Sequence, residues 1–185
     1  MRREVVRHSE QIEVTFTDLD RLQISAAAEA RERPKTDNPL VRDQRIGTHD
    51  NVETHAIGIM GEIAVGRVLG LNPDLAAYVA GDKSGDFLFH GAMVEVKTMQ
   101  GYLALAPWQM HGAAAYVLVV YTPKCWDAVA VQGWTTEAVF GRRSFDEDFG
   151  HGPCRAMQPC DLYPMGTLTR WCQDVSDSRQ QAARS

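Results

Sequence analysis

Long apolar runs are missing from this 185-residue chain. None approaches the roughly 20 residues that a membrane-spanning helix needs, so no membrane partner is expected. No apolar segment follows Met1-Arg2-Arg3-Glu4-Val5, so no secretory leader is expected either, and the expected location is cytoplasmic. Cysteine is scarce: Cys125, Cys154, Cys160 and Cys172 form no CxxC pair. That removes any sign of a disulfide framework or an iron–sulfur cluster. His151, Cys154 and Cys160 are close in sequence, but their spacing fits no common zinc site. A basic excess is absent too. Lys and Arg number 19 against 24 Asp and Glu, a net charge of -5, the opposite of what a general nucleic-acid binder carries. There is no G-x-S-x-G elbow and no H-E-x-x-H, and Gly81-Asp82-Lys83-Ser84 lacks the first half of a P-loop.

What remains is an ordinary globular composition, 44% hydrophobic and 23% charged. It predicts a single domain over residues 1–173, followed by a polar, disordered tail over 174–185. Gln11 to Thr17 alternate polar and apolar as a strand does. Thr17-Asp18-Leu19-Asp20 reads as a capping box for a helix to about Glu32. From Arg33 to Gly47, two prolines and many charges predict a long loop. With Arg31, Arg33, Lys35, Arg42 and Arg45 this is the most basic neighbourhood, either an arm that touches a substrate or a solvated surface loop.

A second helix is expected from the Asp50-Asn51-Val52-Glu53 cap to Leu69, closed by Gly70. It is apolar on most faces and therefore buried, with Gly58, Gly61 and Gly66 allowing close backbone approach. Its flanking His49 and His55 read as capping or surface residues. Ala115–Tyr121 is an unbroken β-branched and apolar run, so it predicts a central, doubly buried strand. Ala128–Trp134 reads as the next strand, and a short helix capped by Thr135 or Thr136 follows, through Phe140. Gly141 to Pro164 looks irregular, and Gly166–Cys172 forms a closing helix. The order predicts an α/β fold, a central mixed β-sheet flanked by helices.

The segment Gly85 to Thr98 carries the chemistry. It reads as a hairpin in which Phe87-Leu88-Phe89 pairs with Val94 to Thr98 through a turn at His90-Gly91-Ala92. Alternation sends Glu95 and Lys97 to one face, and the hairpin register brings Asp86 close to both. Asp86, Glu95 and the carbonyl of Val96 are oxygen donors of the kind that Mg²⁺ or Mn²⁺ takes, alongside retained waters. Such an ion would polarise a scissile phosphate and activate a water to attack it, and Lys97 would orient that water or balance transition-state charge. Glu62 is the one acid within the buried helix stretch Ile57–Leu69, and a buried carboxylate needs a cation or a metal. A bland alternative is a Glu95–Lys97 pair on a solvated strand face with Glu62 at a helix edge.

The combination Gly61-Glu62, Gly85-Asp86 and Val94-Glu95-Val96-Lys97-Thr98, with a later Gly133-Trp134-Thr135-Thr136-Glu137, resembles the PD-(D/E)xK nuclease superfamily. In particular it is similar to small nuclease-like proteins of phages and prophages. The resemblance covers about residues 50–140. It implies a restriction-endonuclease-like core, Mg²⁺ or Mn²⁺ dependence and hydrolysis of DNA, in the host cytoplasm if the chain is phage-encoded. It assigns catalysis to Glu62, Asp86, Glu95 and Lys97, and the metal to Asp86, Glu95, the Val96 carbonyl and Glu62. Asp74, in the literal Pro73-Asp74 pair, and Asp82 compete with Asp86, but only Asp86 abuts the strand that pairs with Glu95. Gln109 matches a Gln of exonuclease-like members, although the Q-x3-Y form is absent because Tyr116 lies seven residues later. Substrate contact is expected from Lys35, Arg42, Arg45 and Gln109, with a homodimer or a partner protein adding DNA affinity. Tyr102, Trp108 and Tyr116 can stack on bases, or belong to the core. Two other readings stand beside this one: a non-cleaving DNA-binding or assembly protein on the same fold, and a metal-dependent hydrolase of another phosphate ester.

Overall fold

A computed structural model of the protein describes residues 11–36, 51–75, 85–110, 112–148 and 152–182. Strand β1 (Ile12–Thr15) leads into helix α1 (Asp18–Thr36). Their join is the expected capping box. The Thr17 hydroxyl accepts the Asp20 N–H at 3.3 Å, and the Asp20 carboxylate accepts the Thr17 N–H at 2.7 Å. Helix α2 (Asn51–Leu69) ends at Gly70, whose φ of 69° only glycine adopts cheaply. There the Leu71 N–H bonds the Gly66 carbonyl at 2.7 Å and the Gly70 N–H bonds the Arg67 carbonyl, which closes the helix as a Schellman motif. Asp20 near the start of α1 pairs with Arg67 near the end of α2. Glu32 near the end of α1 accepts from Asn51 at the start of α2, so the two helices run antiparallel.

Strands β2 (Phe87–Phe89) and β3 (Ala92–Met99) form the expected hairpin. Its turn is the two residues His90 and Gly91, both left-handed (φ 47° and 73°), as a twisted hairpin requires. Ala92 pairs with Phe89 instead of joining the turn. Strand β4 (Leu103–Leu105) and a 3-10 turn at Pro107–Gln109 lead to β5 (Ala115–Tyr121) and β6 (Ala128–Thr135). Helix α3 (Glu137–Arg143) is capped by the Thr136 hydroxyl, which accepts the Val139 N–H at 3.2 Å. Strands β7 (Phe145–Asp148) and β8 (Pro153–Met157) and helix α4 (Leu168–Ala182) complete the order.

The main sheet has the order β1-β6-β5-β3-β2. β3 and β5 are parallel and every other pair is antiparallel, so the expected mixed sheet is present. β5 is central and buried on both faces. One face turns Val94, Val96, Val117 and Val119 toward Ile59, Met60 and Val65 of α2, in a cluster shared with α1 and α4. The other turns Tyr116 and Leu118 toward Leu103, Leu105, Phe140 and Met157, in a second apolar layer. That layer includes a small sheet, β4-β8-β7, which the sequence reading did not contain. No helix of the described residues is long and apolar enough to cross a membrane.

Three boundaries differ from expectation. α1 continues a turn beyond Glu32, with Pro34 two residues from its end, and takes Arg33 and Lys35 out of the loop. β7 and β8 occupy the segment read as irregular. β7 is exposed at all four positions, so no apolar alternation announces it, and pairing with β8 is what makes it a strand. The polar tail expected to be disordered from Asp174 is helical to Ala182. Leu168, Trp171, Cys172 and Val175 continue one buried or half-buried stripe at helical spacing, and Arg179 donates to the Gly91 carbonyl of the hairpin turn at 3.1 Å.

Candidate active site

β2 has three residues and β3 has eight, so β2 covers only Ala92 to Val94. On its other side β3 is paired with β5 from Val94 to Met99. Beyond Val94, the outer margin of β3 therefore has no strand partner among the described residues, and the candidate site is built there.

Gly85 sets the approach. Its φ of 77° swings the chain into β2, and a Cβ there would lie 2.6 Å from Met93 Cγ. The Asp86 N–H then bonds the Val94 carbonyl at 3.0 Å. The Asp86 carboxylate reaches one step further, and Oδ2 accepts the Val96 N–H at 2.6 Å. The side chain thus supplies an acceptor where the β2 backbone has ended. The N–H and C=O of one strand residue point to the same side, so the Val96 carbonyl faces this margin too.

Glu95 and Lys97 lie in register with Tyr116 and Leu118, on the sheet face away from α2. Lys97 Nζ donates to Glu95 Oε1 at 2.7 Å. Their side chains are only 17% and 15% exposed, so this is a largely buried pair and not a solvated strand face.

Glu62 comes from α2 on the other side of the sheet. The residue before it, Gly61, is what lets α2 press on β3: a Cβ there would lie 1.9 Å from Thr98 Oγ1. Both Glu62 oxygens are held. Arg31 Nη1 donates to Oε1 and Nη2 to Oε2, each at 2.8 Å, and Nη2 also donates to the Asp74 carbonyl at 3.1 Å. Arg31 is the residue that the sequence reading missed. It was grouped only with the basic residues of the following loop, whereas α1 carries it on the α2-facing stripe Asp20, Ile24, Ala28, Arg31. That spacing was legible, and a lone acid in an apolar helix calls for a cation from its neighbour.

Asp86 is where the field concentrates. Burial, then the charges of Glu95 and Glu62, push its carboxyl up to about 7, while the Val96 N–H and Lys97 pull the other way. The Arg31 guanidinium is held above its usual range, first by its bonds to Glu62. Three carboxylates therefore share one margin with two cations, and Asp86 bears the imbalance.

A divalent ion has a defined but small donor set here. Among the described residues no three His, Cys, Asp or Glu side chains are arranged to hold a metal. Asp86 and Glu95 would hold it with the Val96 carbonyl, and waters would fill the remaining positions, a set that suits Mg²⁺. The raised Asp86 carboxyl fits such a role, because a cation relieves the repulsion that raises it. Glu62 fits less directly, since its burial is already compensated by Arg31.

The other candidates are dispersed. Gln109 Oε1 accepts the Ala106 N–H at 2.9 Å, so its oxygen caps the 3-10 turn. Arg42, Arg45, Asp82 and His49 lie outside the described residues, as do the side chains of Lys35 and Trp108. His55 Nε2 lies 3.3 Å from Glu32 Oε2. Tyr116 is fully buried, and Tyr102 is partly exposed, edge-on to Phe145. Comparison of the chain with known protein families, with characterised proteins and with solved structures gave no match.

Proposed function

We propose that this chain is a Mg²⁺- or Mn²⁺-dependent deoxyribonuclease of PD-(D/E)xK type, with a restriction-endonuclease-like arrangement of its mixed sheet. One observation carries the reading. Asp86, Glu95 and Lys97 converge on a single strand margin, with the Val96 carbonyl beside them and Glu62 near enough to raise the Asp86 carboxyl. An acid pair next to a lysine and a strand carbonyl suits one divalent ion facing a phosphodiester.

The ion would supply Lewis-acid polarisation of the phosphate and of the attacking water. Asp86 and Glu95 would bind it, and the Val96 N–H fixes the Asp86 rotamer in advance. Lys97, already oriented by Glu95, would donate to the water or to a phosphate oxygen as negative charge develops. Lys35, Arg42, Arg45 and Gln109 remain the proposed contacts to DNA, with a second copy or a partner protein adding grip to a chain of net charge -5.

The test is a cleavage panel over linear, nicked, branched and single-stranded DNA with Mg²⁺, Mn²⁺ or EDTA. Cleavage of at least one form, abolished by EDTA and by Asp86→Ala or Lys97→Ala, is the expected result. A chain inert on every form sinks the reading.

A second reading has its own observation. The Glu95–Lys97 and Glu62–Arg31 pairs satisfy each other without any ion, which suits a non-cleaving DNA-binding or assembly protein. DNA binding that is indifferent to EDTA, together with no cleavage, selects it.

A further inference from the structure

Arg31 makes a fork-to-fork contact with the carboxylate next to the proposed metal position. Both Glu62 oxygens are engaged at 2.8 Å, and the arginine is itself anchored by the Asp74 carbonyl. The two side chains are only 18% and 11% exposed, so little water competes for them. Bidentate arginine–carboxylate pairs are geometrically demanding and among the stronger hydrogen-bonded pairs. The contact crosses from α1 to α2, and its mirror at the other end of the helix pair is Asp20–Arg67. Both guanidinium groups are thus held on the helix pair. Only Arg31 faces the carboxylates at the β3 margin, where Asp86 is within its electrostatic reach.

We propose that Arg31 is a built-in counter-cation that keeps Glu62 out of the metal's coordination shell, so that Asp86 and Glu95 are the only carboxylates among the described residues that hold one divalent ion. This rests on the metal-dependent reading above. Glu62 has two oxygens, and each points at a guanidinium nitrogen. To ligate an ion it must give up one or both of those bonds and leave Arg31 partly buried and unpaired. Arg31 is therefore a positioning residue. It sets how many carboxylates the ion meets and touches neither the ion nor the DNA.

Mn²⁺ binding to the full chain, followed by calorimetry and by the electron paramagnetic resonance of free Mn²⁺, separates ligation from bulk charge through a double-mutant cycle. Wild type is expected to bind one ion, lost in Asp86→Asn. Glu62→Gln should leave the affinity within about threefold, because Glu62 is not a ligand while Arg31 is present. Arg31→Gln frees Glu62, and binding should tighten by about tenfold or more or a second ion should enter; in Arg31→Gln/Glu62→Gln that gain should vanish. Arg31→Lys keeps the charge at the contact, serves where Arg31→Gln fails to fold, and should bind as wild type does. A wild type that binds two ions overturns the inference but not the nuclease reading. So does a Glu62→Gln variant that loses about tenfold or more, or an Arg31→Gln gain that survives in the double variant. A wild type that binds no Mn²⁺ overturns both.

Discussion

The Asp86 carboxylate accepts the Val96 N–H at 2.6 Å, across ten residues of sequence, on the stretch of β3 that lies beyond the end of β2. That bond holds a carboxyl that burial and two neighbouring acids push up to about 7. The sign of its effect on stability follows. An acid whose folded pKa lies above its unfolded value contributes stability that is fully present below the unfolded pKa, near 4, and is lost as pH rises through about 7. Without metal, the protein should therefore melt at lower temperature at about pH 8 than at about pH 5 on account of this group. Asp86→Asn should flatten that slope, and Mg²⁺ should restore melting temperature at the higher pH in wild type only. Thermal melts across the range check this, and parallel curves for the two proteins would count against it.

Lys97→Gln keeps the length of a polar side chain but removes the charge beside Glu95. Loss of one donor aimed at developing charge typically costs about 100-fold or more in rate. Cleavage in Mg²⁺ should fall by at least that, and melting temperature should fall as well, because the change leaves the largely buried Glu95 without its cation, at a cost of up to about 3–5 kcal/mol; the two rates are compared at a temperature where both proteins are folded. Retention of activity within about fivefold would remove Lys97 from the proposed mechanism.

Gly61→Ala should destabilise the fold by about 1–3 kcal/mol through overpacking, because its Cβ would lie 1.9 Å from Thr98 Oγ1. That hydroxyl is buried with no hydrogen-bond partner among the described residues, so Thr98→Ala alone should be nearly neutral. The double variant should recover much of the loss in urea unfolding. If the two changes simply add, α2 does not press on β3 at this point.

His90→Asn should stabilise the hairpin. His90 sits at φ 47°, where Asn is tolerated better, and Asn-Gly is the favoured pair for this turn. A gain of a few tenths to about 1 kcal/mol in chemical denaturation is expected. A loss would mean that the ring contact between Phe89 and His90, at 4.5 Å, outweighs backbone preference.

The parts of the fold that the sequence announced are those whose signal is local and periodic. Thr17 and Asp20 cap α1, Gly70 closes α2, and the apolar run of Ala115–Tyr121 is the central strand, because each is dictated by neighbours in the chain. β7 was illegible for the opposite reason: Phe145-Asp146-Glu147-Asp148 has no apolar face and is a strand only through β8. The site divides in the same way. Asp86, Glu95 and Lys97 lie on one hairpin, so turn geometry was enough to bring them together. The Arg31–Glu62 pair joins residues 31 positions apart on two helices. No local pattern announces the pairing, because the contact depends on how α1 and α2 pack against each other.

The brevity of β2 has a consequence for solubility as well as for chemistry. A strand that outlasts its neighbour is a template for any passing backbone, and proteins commonly defend such places with inward-pointing charge. Here the defender is Asp86, whose carboxylate occupies the Val96 donor that an intruding strand would need first. Were β2 two residues longer, its backbone would take the place of the Asp86 carboxylate at the Val96 N–H. Among the described residues, the same three-residue strand thus leaves this stretch of edge without a strand partner and stations a gatekeeper on it.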